Sequence, residues 1–267
     1  MTPPSDDAPG PLRHLSVELE DGVAVVTLDR PPVNAVDLEV IAEFLATAES
    51  LAADAGVRAV VITGTERAFC AGADVSMMRD LSVQNHRKVR RWIHVQAALE
   101  DMPKPVIAAI RGYALGGGAE LALACDLRVA ASDSVIGFPE IELGLFPGAG
   151  GTQRLSRAVG PARALRLMML GERLSGDEAA ALGLIDVVVE DRAEVLPTAL
   201  ELARTLAARA TRTIGLLKRA VRGGVGRPLE EGLAIEEQAV FELIKTEDAR
   251  EGLQAFLDRR PPRFTGR

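Results

Sequence analysis

Two glycine-rich segments, Phe69-Cys70-Ala71-Gly72-Ala73-Asp74 and Tyr113-Ala114-Leu115-Gly116-Gly117-Gly118-Ala119-Glu120, each follow an apolar run of β-strand character. Without a Cβ, glycine lets a ligand approach the backbone closely, and glycines at a helix start leave first-turn N–H groups open to an anion. Together the segments offer one N–H from Ala73 and one from Gly117, an oxyanion hole in which losing a single fixed donor costs ~10²–10³ in rate. Glu120, three residues past Gly117, and Glu140, directly after Pro139, supply two carboxyl groups. Adding water across an activated C=C needs one group to hold or deprotonate water and another to protonate carbon. Two carboxylates in one low-dielectric pocket also raise each other's proton affinity, which keeps one of them protonated near neutral pH. Each feature alone has a plainer reading: a tight turn for the glycines, a helix cap for Glu120, a solvated turn for Glu140. Their combination favours chemistry.

Competing motifs fit less well. Neither segment has the Gly-x-Gly-x-x-Gly spacing of a dinucleotide site, and Gly148-Ala149-Gly150-Gly151-Thr152 lacks the Gly-Lys-Ser/Thr of a phosphate loop. No Gly-x-Ser-x-Gly elbow marks a serine hydrolase. His14, His86 and His94 are scattered and read as surface residues, and no Cys/His grouping has metal-ligand spacing. The run Arg87-Lys88-Val89-Arg90-Arg91 reads as a solvated helix face.

The elements that must position these groups alternate in the first half of the chain. Leu15 to Leu19 and Val23 to Leu28 form a hairpin over Asp21-Gly22, followed by a helix from Asp37 to Ala53 and a strand from Val57 to Thr63. A single amphipathic helix is expected from Val83 to Glu100, then strands at Val106 to Ile110, Asp126 to Ala131 and Ser134 to Gly137, with a short helix after Gly117. Such alternation implies crossover connections and a largely parallel sheet. Beyond Gly150 the chain reads as helices, broken by one strand at Ile185 to Val189; Ser175 and Glu178 form a capping box, and Arg259 to Arg267 leave the last helix as an extended tail.

With 267 residues and 48% hydrophobic composition, the chain has material for a substantial core. A net charge of −7 and 3% aromatic residues argue against nucleic acid and anionic membranes as partners. No apolar run approaches a membrane span of ~20 residues. Residues 1–12 read as a disordered tail without signal-peptide character, so a cytoplasmic setting with reduced Cys70 and Cys125 is expected.

At these residues the chain resembles the enoyl-CoA hydratase/isomerase (crotonase) family. The resemblance runs from His14 to Arg267 through Leu28-Asp29-Arg30-Pro31 with Asn34-Ala35, Ala68 to Val75, Pro103 to Ile110, Gly112 to Leu121, Pro139-Glu140, Gly144 to Gln153 and Arg260 to Phe264. It implies an α/β fold, the crotonase (ClpP-like) spiral of ββα turns, with residues 13–200 as the core and 201–267 as a helical trimerisation region of a homotrimer or dimer of trimers. It implies an acyl-CoA substrate whose thioester carbonyl sits between the Ala73 and Gly117 amides, no separate cofactor or metal, and a role in acyl-CoA and fatty-acid metabolism. Glu120 would activate water and Glu140 would transfer the proton at C2, while Ala71, Asp74, Val75, Ser76 and Gly148 would contact substrate. Relatives that are dedicated isomerases commonly keep one carboxylate; retaining both favours hydration. An enoyl-CoA isomerase, or an idle crotonase-like protein binding RNA or a partner, are the alternatives. The chain departs from the family pattern twice: only Pro32 and Val33 separate Arg30-Pro31 from Asn34-Ala35, and Ser76 stands where many relatives carry Lys.

Overall fold

The computed structural model describes residues 12–80 and 82–267, so the tail expected at 1–12 lies, apart from Leu12, outside the described residues. In chain order the elements are β1 (Leu15–Glu20), β2 (Val23–Leu28), α1 (Leu38–Ala53), β3 (Ala59–Thr63), β4 (Ala68–Cys70), α2 (Val83–Val89), α3 (Trp92–Asp101), β5 (Val106–Ile110), β6 (Tyr113–Leu115), α4 (Gly117–Ala124), β7 (Leu127–Ala131) and β8 (Val135–Gly137). There follow α5 (Gly151–Val159), α6 (Pro161–Leu170), β9 (Arg173–Ser175), α7 (Gly176–Ala181), β10 (Val187–Val189), α8 (Arg192–Ala207), α9 (Thr211–Gly224), α10 (Leu229–Leu243) and α11 (Glu247–Leu257). Short 3-10 turns occupy Val75–Arg79 and Pro139–Leu143.

The strands form two sheets rather than one: six strands in the order β1-β2-β3-β5-β7-β10, and four in the order β4-β6-β8-β9. After the antiparallel hairpin β1–β2, the larger sheet is parallel throughout. Each turn of chain lays one strand in the large sheet, the next in the small one, and then helix: β3-β4 with α2 and α3, β5-β6 with α4, β7-β8 with α5 and α6. This is the ββα spiral that the family resemblance implies. The hairpin turn puts Asp21 at φ 50° and Gly22 at φ 77°, the conformation that matches the twist of paired strands.

β3 and β5 are buried along their whole length, as expected of parallel strands covered on both faces. One face packs against α8, where Ala199, Ala203 and Ala207 recur every fourth residue and let the helix approach closely. The other face meets the main core under α1, α3 and α4. Position 200, where the core was expected to give way to the C-terminal region, falls inside α8.

Sequence periodicity misses three short strands, β4, β6 and β9, each of three residues. The expected Val83–Glu100 helix is two helices. Between them Arg91, Ile93 and His94 donate to the carbonyls three residues back, a tighter turn that resets the helix face and brings Trp92 inward. The C-terminal tail has no regular structure but is strapped down: the buried Asp248 carboxylate accepts from Thr265 N at 2.7 Å and Gly266 N at 2.8 Å. No helix among the described residues is long and apolar enough to cross a membrane.

Candidate active site

The site gathers around the N-terminus of α4, in the small sheet. β4 and β6 pair in parallel, which brings the segments after them side by side. A Cβ built on Gly72 would stand 3.0 Å from the Gly117 nitrogen, and one on Gly118 only 1.9 Å from the Cys70 carbonyl oxygen. Neither approach is open to a residue with a side chain, which accounts for both glycines.

Ala73 forms a parallel bridge with Val36: Val36 N donates to Gly72 O and Asp74 N to Val36 O, both at 2.8 Å. That pattern turns the Ala73 N–H away from Val36. In α4 the first helical bond runs from Glu120 N to Gly116 O at 2.9 Å, which leaves the Gly117 N–H among the open first-turn donors. Among the described residues neither the Ala73 nor the Gly117 N–H meets an acceptor.

Glu120 is buried one turn into α4. Its Oε1 accepts from Ala149 N at 2.9 Å and Gly151 N at 2.7 Å, so the glycine loop, which lacks a phosphate-loop motif, serves as a carboxylate clamp. Oε2 has no partner among the described residues. Burial pushes the Glu120 carboxyl up from its usual range, against the two amides and the charge of Arg154, which favour ionisation. Glu140, on the 3-10 turn, faces Gly116, and its Oε2 is buried without a partner. Burial first, and the neighbouring Glu120 in addition, push the Glu140 carboxyl up to about 7. Both carboxyls are thus raised, and they differ in their partners: two loop amides that favour the charged form hold Glu120 Oε1, whereas Glu140 has a buried Oε2 with no donor and can carry a proton near neutral pH.

The other sequence candidates sit in a shallow groove of about 690 Å³ lined by His14, Arg30, Ala71, Ala73, Asp74 and Val75. His14, read as a surface residue, is half-buried there. Arg30 bridges Asp37 and Asp74 at 2.9 Å each, and Asn34 is fully buried, with Nδ2 donating to Leu28 O at 2.9 Å and Ala68 O at 2.7 Å. Hydrogen bonds from Ser76, then from Arg30, hold Asp74 below the usual carboxylate range. Ser76 is exposed beyond this pair, and Gly148 is exposed on the loop before Ala149. Cys70 and Cys125 are buried and unpaired, each thiol pushed up to about 12 by burial. No cluster of three His, Cys, Asp or Glu suited to a metal occurs among the described residues.

Three polar side chains at the site escaped the sequence reading. The Trp92 indole donates to Gly117 O at 3.0 Å, and Arg154 links Gln96 to the Glu120 loop. Trp92 is the only tryptophan, but in sequence it is one more apolar position of a helix. Arg154 follows the quoted Gly150-Gly151-Thr152-Gln153 motif by a single residue.

With this fold and this site the chain belongs to the enoyl-CoA hydratase/isomerase family, whose model matches residues 18–267. Among similar proteins is the "probable enoyl-CoA hydratase" of Bacillus subtilis, 41% identical over 96% of this chain and 100% of its own length. The short-chain-enoyl-CoA hydratase of Clostridium acetobutylicum is 39% identical over 93% of this chain and 96% of its own. The crystal structure of enoyl-CoA hydratase from Bacillus anthracis superposes with a TM-score of 0.90 at 37% identity, over 96% of this chain and 100% of that one.

Proposed function

We propose that the protein is an enoyl-CoA hydratase, a cofactor-free cytosolic hydro-lyase that adds water across the 2,3 double bond of a trans-2-enoyl-CoA to give a 3-hydroxyacyl-CoA. The single observation that carries this reading is the pair of carboxyls at the α4 N-terminus, Glu120 buried and clamped by amides and Glu140 half-buried with one buried, unpartnered oxygen and raised to about 7.

Glu120 takes a proton from water on Oε2, and the water oxygen bonds to C3. The alkene electrons move toward the thioester, whose oxygen gains the negative charge of an enolate between the Ala73 and Gly117 N–H groups. Protonated Glu140 then delivers its proton to C2 and the thioester carbonyl reforms; on product release Glu120 gives up the proton taken from water and Glu140 regains one by exchange with solvent, which restores the starting state. Such preorganised donors act where charge develops and gain strength in a site that excludes water. The groove of Arg30, Ala71, Asp74 and Val75, continued by the exposed Ser76, takes the CoA portion, and the exposed Gly148 contacts substrate from the loop before Ala149.

We also assign a homotrimer or dimer of trimers built through residues 201–267. Exposed Leu217, Val221, Leu229, Leu233, Phe256 and Leu257 on α9 to α11 support this, since a monomer rarely displays so much apolar surface on one region.

The direct test is loss of the conjugated-thioester absorbance of crotonyl-CoA on adding purified protein. A protein that instead only converts 3-enoyl-CoA to 2-enoyl-CoA is an isomerase, and one that does neither but holds RNA in a salt-sensitive manner is a binding protein.

A further inference from the structure

Trp92, Gln96 and Glu100 are spaced four residues apart on α3 and so form one ridge of that helix. Every member of the ridge makes a polar contact directed at the site. The Trp92 Nε1–H donates to Gly117 O at 3.0 Å, and its ring is set edge-on against Phe44 at 5.4 Å between centroids. Gln96 Oε1 accepts from Arg154 Nη1 at 2.7 Å, and Glu100 takes the same guanidinium through Nε at 2.8 Å and Nη2 at 2.7 Å. Arg154 Nη1 also reaches Ala149 O at 3.1 Å, and the amide of that same Ala149 is one of the two that hold Glu120.

We infer that the α3 ridge of Trp92, Gln96 and Glu100 is a positioning element that fixes the Gly117 amide donor and the Glu120 carboxylate relative to one another, with Arg154 as the link to the acid. The inference rests on the roles proposed above for Gly117 and Glu120.

Three features argue for a dedicated device rather than ordinary packing. Gly150 lies at φ +112°, and a Cβ there would stand 1.9 Å from Arg154 Nη1, so the loop is shaped to admit the guanidinium. Gln96 is fully buried with Nε2 unpartnered, an arrangement that costs stability relative to an apolar residue of similar shape. What the glutamine contributes is the Oε1 that completes the fork of Arg154. A bidentate guanidinium–carboxylate pair fixes a plane as well as a distance, which an ammonium does not. The charged groups facing Glu120 are Arg154 from α5 and Glu140 from the 3-10 turn. Glu100 on α3 partly neutralises Arg154, and Arg222 on α9 lies 3.6 Å from Glu100.

The test uses Trp92→Phe, Arg154→Met and Glu100→Gln in the full chain, each first checked for an unchanged circular dichroism spectrum. Trp92→Phe keeps the ring packing and removes one hydrogen bond; kcat for hydration falls about tenfold with KM nearly unchanged and both pH limbs in place. Arg154→Met removes a cation facing Glu120 and moves the acid limb of the pH profile up, whereas Glu100→Gln leaves that cation uncompensated and moves the limb down. Arg154→Lys, which keeps the charge and loses the fork, lowers kcat with a smaller limb shift and serves if the methionine variant does not fold. Infrared titration of the carboxyl groups reads the same opposite shifts without turnover, so a wild type inactive on enoyl-CoA defeats the hydratase reading while the ridge is judged on its own. Folded variants with wild-type kcat, or with limbs and titrations that do not move in opposite directions, overturn the inference.

Discussion

Gly116 lies so close to Glu140 that a Cβ built on it would stand 2.8 Å from Oε1 and 3.3 Å from Cδ of that carboxyl. The glycine also has φ +52°, a left-handed conformation that strains any residue with a side chain. Gly116→Ala should therefore cost ~1–2 kcal/mol in stability from backbone strain alone. It should lower kcat/KM by a larger factor, because the displaced group is the proposed acid. Thermal melts beside hydration kinetics check this; a variant with altered melting and intact turnover would remove Glu140 from the reaction.

Glu140 sets an expected pH dependence. Its carboxyl rises from the ordinary 4.5 to about 7, so the proposed proton donor is lost as pH climbs through 7, and kcat/KM should fall on that alkaline limb. In Glu140→Gln the remaining activity, reduced by ~10²–10⁴, should lack the limb.

The same shift has a consequence for stability. A folded-state pKa above the unfolded value means that the protonated form favours folding, with the contribution present at low pH and lost between 4.5 and about 7. Glu140→Gln should therefore be more stable than wild type at pH 8 by ~1–3 kcal/mol, with the difference closing below pH 4.5. Denaturant unfolding at the two pH values measures it, and a variant less stable at pH 8 would contradict the burial of this acid.

Glu120 separates structure from chemistry. Glu120→Gln keeps an oxygen for the amides of Ala149 and Gly151, so the fold should hold while hydration is lost. Glu120→Ala leaves the buried Gly151 amide unpaired, at a cost of ~1–3 kcal/mol, and the half-buried Ala149 amide as well. Equal stability of the two variants in urea titrations would show that the amide clamp carries no weight.

Asp248 anchors the last residues through the backbone amides of Thr265 and Gly266, and Arg58 Nη1 donates to Phe264 O at 2.9 Å from the other side. Asp248→Ala should cost ~1–3 kcal/mol, since it removes the buried carboxylate that accepts two charge-assisted backbone hydrogen bonds. It should also expose the final residues to carboxypeptidase. Trimming at the wild-type rate would mean that the strap is not held by this carboxylate.

Much of the architecture was legible in the sequence because it depends on local rules. The β1–β2 hairpin follows from Asp21-Gly22, the capping box on α7 from Ser175 and Glu178, and β3 and β5 from their unbroken apolar runs. The three short strands of the second sheet were not legible. β4, β6 and β9 have three residues each, too few for a period to show, and they are held by pairing with segments distant in the chain. The break before Trp92 was hidden because a 3-10 turn interrupts the helical period by less than one residue.

For the site, the amino-acid order alone determined which groups are available: two stretches able to bare an amide, two carboxyls, and no metal-ligand spacing. These are properties of residue type and near-neighbour spacing, which the chain carries whether folded or not. Only the tertiary structure decided that Gly72 abuts Gly117, that the loop amides at Ala149 and Gly151 close on Glu120, and that Trp92 and Arg154 brace both. Apart from the local Arg154–Ala149 bond, those contacts join residues from 25 to 45 positions apart, where side-chain direction and burial, rather than local propensity, determine which atoms meet.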